Sequence, residues 1–162
     1  MPTDAIINVN GDSVQILDVT LLLVTITLLP TLVVMMTSFT RYVVSLSFLR
    51  TAMGTQQTPP NMVLVGMALI LTLFTMTPTL NAINEEALEP YQADEITQME
   101  FVERVQRPLK EFMVGEIEIA SMEMYCNMSG SPVPVTEEEA LQLPLTVIIA
   151  SFITSELKHA FI

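Results

Sequence analysis

Two long stretches without a charged residue constrain this chain more than any other feature. Residues 19–40 hold 22 consecutive uncharged residues, and residues 51–84 hold 34. At about 1.5 Å per helical residue, a hydrocarbon core about 30 Å thick requires about 20 apolar residues. The sequence therefore predicts two hydrophobic helices, separated by a turn-rich connector that ends in Pro59-Pro60. The alternative for each stretch is a helix buried in a soluble core.

The charged residues are few and unbalanced. They make up 15% of the 162 residues, against 51% hydrophobic residues, whereas soluble domains average about 25% charged residues. The formal net charge of −12 argues against nucleic acid, whose phosphates require a basic surface. Cys126 is the only cysteine, which excludes a disulfide within the chain and a zinc site built from cysteines. Because His159 is the only histidine, the residues needed for another metal site or for a catalytic Cys–His pair are almost absent. These counts favour a non-enzymatic membrane protein without a cofactor.

Charge and hydropathy divide the chain into four parts. Of the 18 acidic residues, 14 fall within residues 85–139, beside only three basic ones. The predicted fold class is an all-α membrane protein with a helical hairpin, an acidic extracytoplasmic helical segment and the start of a third hydrophobic helix. The predicted boundaries are an acidic N-terminal tail at 1–18, the hydrophobic hairpin at 19–81, the acidic segment at 82–139 and the shortened third helix at 140–162.

The basic residues around the hairpin connector predict its orientation. Arg41 and Arg50 lie near the connector without an acidic neighbour, and positively charged loops stay in the cytoplasm. The N-terminal tail and the acidic segment would then lie outside. A basic region and a small-residue cleavage site are both missing around the first apolar stretch, so a cleaved signal peptide is not expected.

Small and hydroxyl residues recur at helical spacing along both hydrophobic stretches. In lipid, such residues allow helices to approach closely and to hydrogen-bond. They predict a helix-packing seam that serves either the hairpin itself or contacts with neighbouring subunits: Thr27, Thr31, Ser38, Ser45, Ala68 and Thr72.

Arg41 also lies on this seam, where its charge must face protein or water, unless it anchors the helix at the membrane interface. If the first helix runs over residues 19–49, it is too long for one untilted crossing, and Pro30 should kink it.

The acidic segment carries signals for further helices. Thr97 with Glu100, and Thr136 with Glu139, have capping-box spacing, the second pair opening the last helix. Pro108 suits the first turn of a new helix. An apolar stripe follows, with the glutamates on the opposite face; because so short a segment cannot build a core alone, the stripe should dock on another chain. The stripe consists of Leu109, Phe112, Met113, Ile117, Ala120 and Met124, and the acidic face of Glu111, Glu116, Glu118 and Glu123.

Five motifs, in order along residues 21–162, resemble the FliP family of flagellar export-gate subunits and its injectisome relatives, with the flagellar branch preferred. They are Met35-Met-Thr-Ser-Phe-Thr-Arg41, Leu49-Arg-Thr-Ala-Met-Gly54, Thr58-Pro-Pro-Asn61, Pro108-Leu-Lys-Glu-Phe-Met113 and Ser151-Phe-Ile-Thr-Ser-Glu-Leu-Lys-His-Ala-Phe161.

The resemblance implies a multi-pass protein of the bacterial inner membrane at the flagellar basal body. Copies would form a homo-oligomer with FliQ-like and FliR-like subunits, next to an FlhB-like protein, in contact with membrane lipid. Unfolded flagellar proteins would pass through the resulting channel, and the chain would catalyse no reaction and hold no metal or cofactor.

The resemblance also implies which residues join subunits. Glu156, Phe112 and Tyr125 fall where the family's subunit contacts are expected, and Arg41 and Lys158 are further candidates for assembly. The alternative for Phe112 and Tyr125 is packing within the chain. Glu156 requires a partner near a membrane boundary, and Lys158 is too close in sequence to share its helix face.

The chain also departs from the family pattern. The family continues with two more hydrophobic helices and a methionine-rich loop that constricts the pore, so we expect this chain to correspond to a C-terminally truncated gate subunit. Two rivals are a small membrane anchor or assembly factor acting alone, and a non-functional remnant. An enzyme would require a bound metal or cofactor.

Overall fold

The computed structural model describes residues 6–9, 12–55 and 57–161, with side chains described from residue 19 onward. It contains two compact units, residues 1–34 and residues 35–162. Part of the predicted acidic tail, residues 1–5 and 10–11, lies outside the described residues, as do Gln56 and Ile162.

The first unit opens with a short β-hairpin that the all-α prediction did not include. Strand β1 (Ile6–Val9) pairs antiparallel with β2 (Asp12–Gln15), Ile6 opposite Gln15 and Val9 opposite Asp12. The sequence between the strands is Asn10-Gly11, the dipeptide most typical of two-residue hairpins. The rest of the described chain is helices and their connections, so the helical class is correct apart from this hairpin.

The first hydrophobic stretch forms two helices rather than one. Helix α1 (Ile16–Met35) contains Pro30 and continues past it, so the proline does not end the helix. The prediction of one helix over residues 19–49 is wrong, because the chain leaves the helix at residues 36–38 and resumes it in α2 (Phe39–Ala52). Met36 and Ser38 are buried at this break, so packing within the second unit, not local propensity, decides where the helix is interrupted.

The second unit is formed by seven helices among the described residues. These are α2, α3 (Asn61–Ile83), which runs through a π-helical turn (Asn84–Leu88) into α4 (Glu89–Gln92), and then α5 (Gln98–Glu116), α6 (Ile119–Ser129), α7 (Glu137–Leu141) and α8 (Leu145–Phe161).

One continuous helix among the described residues is long and apolar enough to cross a membrane. It covers Asn61–Gln92, 32 residues, and only about a fifth of its most apolar window is buried within the chain. A second span would result if Val19–Met35 and Phe39–Ala52 act together as one interrupted span.

Helix α8 organises the second unit because it packs against α2, α5 and α6. Its buried face repeats at helical spacing, from Val147 and Ile148 to Ser155 and Glu156. Around it lies a hydrophobic core of Met36, Met113, Met122, Cys126, Ala140, Leu143, Val147, Ile148 and Phe152. The thiol of Cys126 belongs to this core, and burial raises its pKa, so the cysteine acts as a packing residue.

Two predictions for the acidic segment, the start of a helix at Pro108 and a continuous apolar stripe, are wrong. Pro108 does not begin a helix but is buried inside α5. The apolar stripe does not continue past Ile117, because α5 ends there and α6 starts on a new phase, so Ala120 and Met124 are exposed while Ser121 and Met122 are buried.

The first part of that stripe packs within this chain rather than against another chain. Met113 belongs to the core, and Leu109, Phe112 and Ile117 pack against it. The acidic segment is too short to form a core alone, and α8 supplies the side chains that complete one. The length of the segment did not predict this contribution from α8.

The two capping-box predictions had different outcomes. At the start of α5, Thr97 and Glu100 bond reciprocally, so this box is confirmed. At Thr136 the hydroxyl accepts the Glu139 N–H, but the Glu139 carboxylate accepts from Val135 N–H, and the helix that begins there is the five-residue α7. The last helix starts only at Leu145, after Pro144.

The most buried aromatic residue supplies a test of the core. Phe152 is fully buried, so Phe152→Ala should lower the free energy of unfolding by about 3–5 kcal/mol, through lost burial and a residual cavity. Chemical unfolding in detergent measures the change. Phe74→Ala is the matched control because Phe74 is 84% exposed on α3, and the same loss from both variants would contradict this core.

The capping box supplies a pH prediction. The backbone N–H and then the hydroxyl of Thr97 donate hydrogen bonds to Glu100, at 2.7 and 2.9 Å, and these bonds lower the Glu100 pKa. The resulting stability is present above the unfolded-state pKa and is lost as the pH falls through the lower folded-state pKa. Thr97→Ala removes the hydroxyl donor but keeps the backbone N–H. Carboxyl NMR titration should therefore give a Glu100 pKa that is higher than in the wild type and closer to the ordinary glutamate value. A wild-type pKa at the ordinary value would mean that the box is open in solution.

Candidate functional site

An ion-pair network centred on Arg41 joins four helices of the second unit. Arg41 extends from α2, and its Nη2 lies 2.5 Å from Glu116 Oε2 at the end of α5. The same nitrogen donates to Glu156 Oε1 on α8. Glu156 is fully buried, so Arg41 is the cation that makes its burial tolerable.

The network continues through the charged end of α8. Lys158 donates to Glu118 Oε2, and His159 Nε2 lies 3.5 Å from Glu118 Oε1. The other ring nitrogen, Nδ1, lies 3.3 Å from Arg41 Nη2. A guanidinium can only donate, so this geometry suits Nδ1 as an acceptor, with the ring proton on Nε2. Lys158 therefore pairs with Glu118, whereas Glu156, two residues earlier on α8, pairs with Arg41.

The break between α5 and α6 brings Glu116 and Glu118 of the acidic segment to α8. Helix α5 ends at Glu116, Ile117 turns to an extended conformation, and Glu118 is the N-cap of α6. The Glu118 N–H donates to Ser155 Oγ at 3.0 Å, and Ser155 itself bonds back to Ser151 O. Small hydroxyl residues on α8 therefore allow the start of α6 to approach closely. The prediction that Glu116 and Glu118 lie on the face opposite the core is wrong for this reason.

The network leaves some buried polar atoms without a partner among the described residues. These are Arg41 Nε, Glu156 Oε2 and the hydroxyl of Ser38, the residue that precedes α2. An unpaired buried polar atom is costly, so the ion pairs must retain their geometry to offset that cost. We read the cluster as an electrostatic clamp between α2, α5, α6 and α8.

Three of these side chains also have the spacing of metal ligands. One donor atom each from Glu116, Glu156 and His159 lies within 4.8 Å of the others. Arg41 already contacts all three side chains and supplies the positive charge that their grouping requires. The donor set therefore fits a guanidinium-centred clamp better than a metal centre.

Phe112 and Tyr125 both contact α8 within the chain. The rings of Phe112 and Phe152 meet edge to face, with centroids 5.7 Å apart. The hydroxyls of Tyr125 and Thr154 lie 2.9 Å apart. Both side chains are only half-buried, so part of each surface stays accessible.

The residues of the predicted seam occupy different environments. Thr27 and Thr31 are exposed on α1, and the Thr27 hydroxyl bonds to Leu23 O of its own helix at 2.7 Å. Ser38 is buried and Ser45 half-buried. Ala68 and Thr72 belong to the buried face of α3, on which α2 packs, and the hydroxyls of Tyr42 and Thr75 join the same two helices at 2.5 Å. Ser45, Ala68 and Thr72 thus lie on the two helices of the hairpin.

Sequence reasoning selected Arg41, Glu156 and Lys158 but missed their partners Glu116 and Glu118. The signal for the missed pair was weak, because both lie in an apparently continuous amphipathic helix. The spacing of Ser151 and Ser155 by four residues is a signal in the sequence that could have indicated the packed face of α8, where both serines are buried.

Removing the central cation provides the test of this clamp. Arg41→Gln leaves the buried Glu156 carboxylate without its cation and should lower the free energy of unfolding by about 3 kcal/mol. Chemical unfolding in detergent measures it. The double variant Arg41→Gln with Glu156→Gln should recover most of the loss.

The control is the exposed pair of Arg107 and Glu111 on α5, 3.0 Å apart. Because exposed pairs contribute little, Arg107→Gln should leave the free energy of unfolding nearly unchanged. Equal losses from Arg41→Gln and Arg107→Gln would contradict a buried clamp.

Comparisons with known proteins agree with the motifs. A family model described as the FliP family matches residues 22–162. The chain is similar to flagellar biosynthetic protein FliP from Aquifex aeolicus, 42% identical over 150 residues that cover 93% of this chain and 61% of the relative. Those from Pectobacterium carotovorum and Bacillus subtilis are 41% and 40% identical, over 86% and 87% of this chain.

The chain spans 53% to 62% of the length of these three curated relatives. The matched part nevertheless includes α2 to α8, the whole clamp and all five motifs. On this evidence the chain belongs to the FliP family.

Proposed function

We propose that the chain serves as a non-enzymatic structural subunit of the type III flagellar export gate. The observation that carries this proposal is the match to the FliP family over residues 22–162. Its relatives are named flagellar biosynthetic proteins, and export through a gate is the role that the motif resemblance implies.

In this proposal the chain is a multi-pass protein of the bacterial inner membrane at the flagellar basal body. The apolar helix Asn61–Gln92 supports membrane insertion. Arg50, beside the hairpin connector, supports a cytoplasmic position for it, and hence an extracytoplasmic position for the acidic segment. Arg41 pairs with Glu116 and therefore lies with the acidic segment rather than with the connector. Arg50 Nη1 lies 2.5 Å from Asn61 Oδ1, which ties the ends of α2 and α3 together at this connector.

We further propose that copies assemble with one another and with FliQ-like and FliR-like subunits, beside an FlhB-like protein. Large apolar side chains are exposed along α1 and α3, which suits helices that meet lipid or other subunits. Unfolded flagellar proteins would pass through the assembled channel. The chain contributes shape and contacts rather than chemistry.

The clamp has a defined part in this proposal. Arg41, Glu156 and Lys158 act from within the subunit, by holding α2 and α8 against the acidic segment. The half-buried faces of Phe112 and Tyr125 then form part of the surface that neighbouring subunits contact.

Oligomer mass tests the proposal against a membrane anchor that acts alone. The chain, co-expressed with FliQ-like and FliR-like subunits, should purify in mild detergent with both partners and at a mass of several copies. The double variant Phe112→Ala with Tyr125→Ala should shift that mass toward the monomer, because two contact faces are lost. Its unfolding midpoint should change by a smaller fraction than its oligomer mass does. Mass photometry and chemical unfolding measure both quantities.

The matched control is Tyr91→Ala with Phe101→Ala, which removes the same two kinds of ring, from an exposed tyrosine and a half-buried phenylalanine whose ring centroids lie 4.9 Å apart. A monomeric wild type would overturn the gate proposal in favour of the anchor. An unchanged mass with a lowered unfolding midpoint would assign Phe112 and Tyr125 to the internal core alone.

A further inference from the structure

An apolar groove with an acidic rim lies on the side of α6 near residues 133–137. Its volume is about 160 Å³, and its floor includes Ile117, Met122 and Ala140, residues of the core or packed against it. Ile119 and Val135 form part of its walls. The groove is separate from the Arg41 clamp, none of whose residues lines it.

The walls of the groove are held by specific bonds. Val135 N–H donates to Glu139 Oε2 at 2.8 Å, and Glu139 N–H donates to Thr136 Oγ1 at 3.3 Å. These bonds fix the backbone while the Val135 side chain stays 90% exposed. Ile119, at the start of α6, is 78% exposed. Clustered apolar side chains on an otherwise acidic surface mark an interaction site.

Two acidic residues of the groove have no cationic partner among the described residues. Glu123 and Glu137 both line it, and neither forms an ion pair within the part of the chain described. The three cations of the acidic segment are engaged elsewhere: Arg104 with Glu86 O, Arg107 with Glu111, and Lys110 with Leu141 O and Leu143 O.

This charge pattern selects among possible occupants. A second copy presenting the same groove would bring like charges together, which opposes association. A segment with apolar side chains and flanking Lys or Arg residues would fill the groove and neutralise its rim.

We propose that this groove is the docking site for a partner protein segment that combines apolar residues with Lys or Arg. The proposal goes beyond the gate function, and it holds for either orientation of the chain in the membrane. Val135 and Ile119 provide the apolar contact, and Glu123 and Glu137 provide the charge recognition.

The probe is a short fluorescent peptide that carries Leu and Lys at helical spacing, compared with one that carries Glu in place of Lys. Anisotropy is measured on the purified full chain in detergent, with empty micelles subtracted. The Lys peptide should bind and the Glu peptide should not. Glu123→Gln with Glu137→Gln should weaken binding about tenfold. Val135→Ser with Ile119→Ser should weaken it similarly, without changing the unfolding midpoint.

The control is Glu85→Gln with Glu95→Gln, which changes the net charge equally at exposed positions outside the groove. Equal weakening by both charge pairs would overturn the proposal, because binding would then follow net charge alone. Absence of Lys-peptide binding would also overturn it. If Val135→Ser with Ile119→Ser abolishes self-association instead, the occupant is a second copy. None of these outcomes depends on whether FliQ-like or FliR-like subunits co-purify.

Discussion

The buried carboxylate of Glu156 is the constraint on which the second unit depends. A fully buried charge is stable only beside an opposite charge, and the guanidinium of Arg41 supplies it from a helix more than a hundred residues earlier in the chain. Once α2 and α8 are joined in this way, α5 and α6 must present Glu116 and Glu118 to the same cluster. The arrangement of four helices thus follows from one electrostatic requirement. Some buried polar atoms of this cluster have no hydrogen-bond partner among the described residues, so the ion pairs must keep their geometry to offset that cost.

The interruption at Ile117 connects this electrostatic requirement with hydrophobic packing. Without it, α5 and α6 would form one amphipathic helix whose glutamates point away from the core. With it, Met113 and Met122 both reach the core although their spacing does not fit one continuous stripe. The close approach of Glu118 to Ser155 depends on a small side chain at that position of α8. A larger residue there would separate α6 from α8.

The described structure combines surfaces that require different environments. Exposed apolar residues along α1 and α3 suit lipid or protein neighbours, whereas the acidic segment suits water. Within the second unit, the clamp joins α2 and α8 to the acidic segment. The apolar groove near α6 lies on the acidic side and extends the set of surfaces that a partner can use.

The sequence by itself determined the helical class, the apolar lengths, the acidic segment, the first capping box and the family, because these depend on local composition or on short ordered motifs. It also identified Arg41 and Glu156 as charges that require partners. Only the tertiary structure decided that they pair with each other, that the first helix breaks at residues 36–38, and that Pro108 lies inside α5. It alone showed that the stripe ends at Ile117. Each of these depends on contacts between segments distant in the chain, and local periodicity carries no information about such contacts.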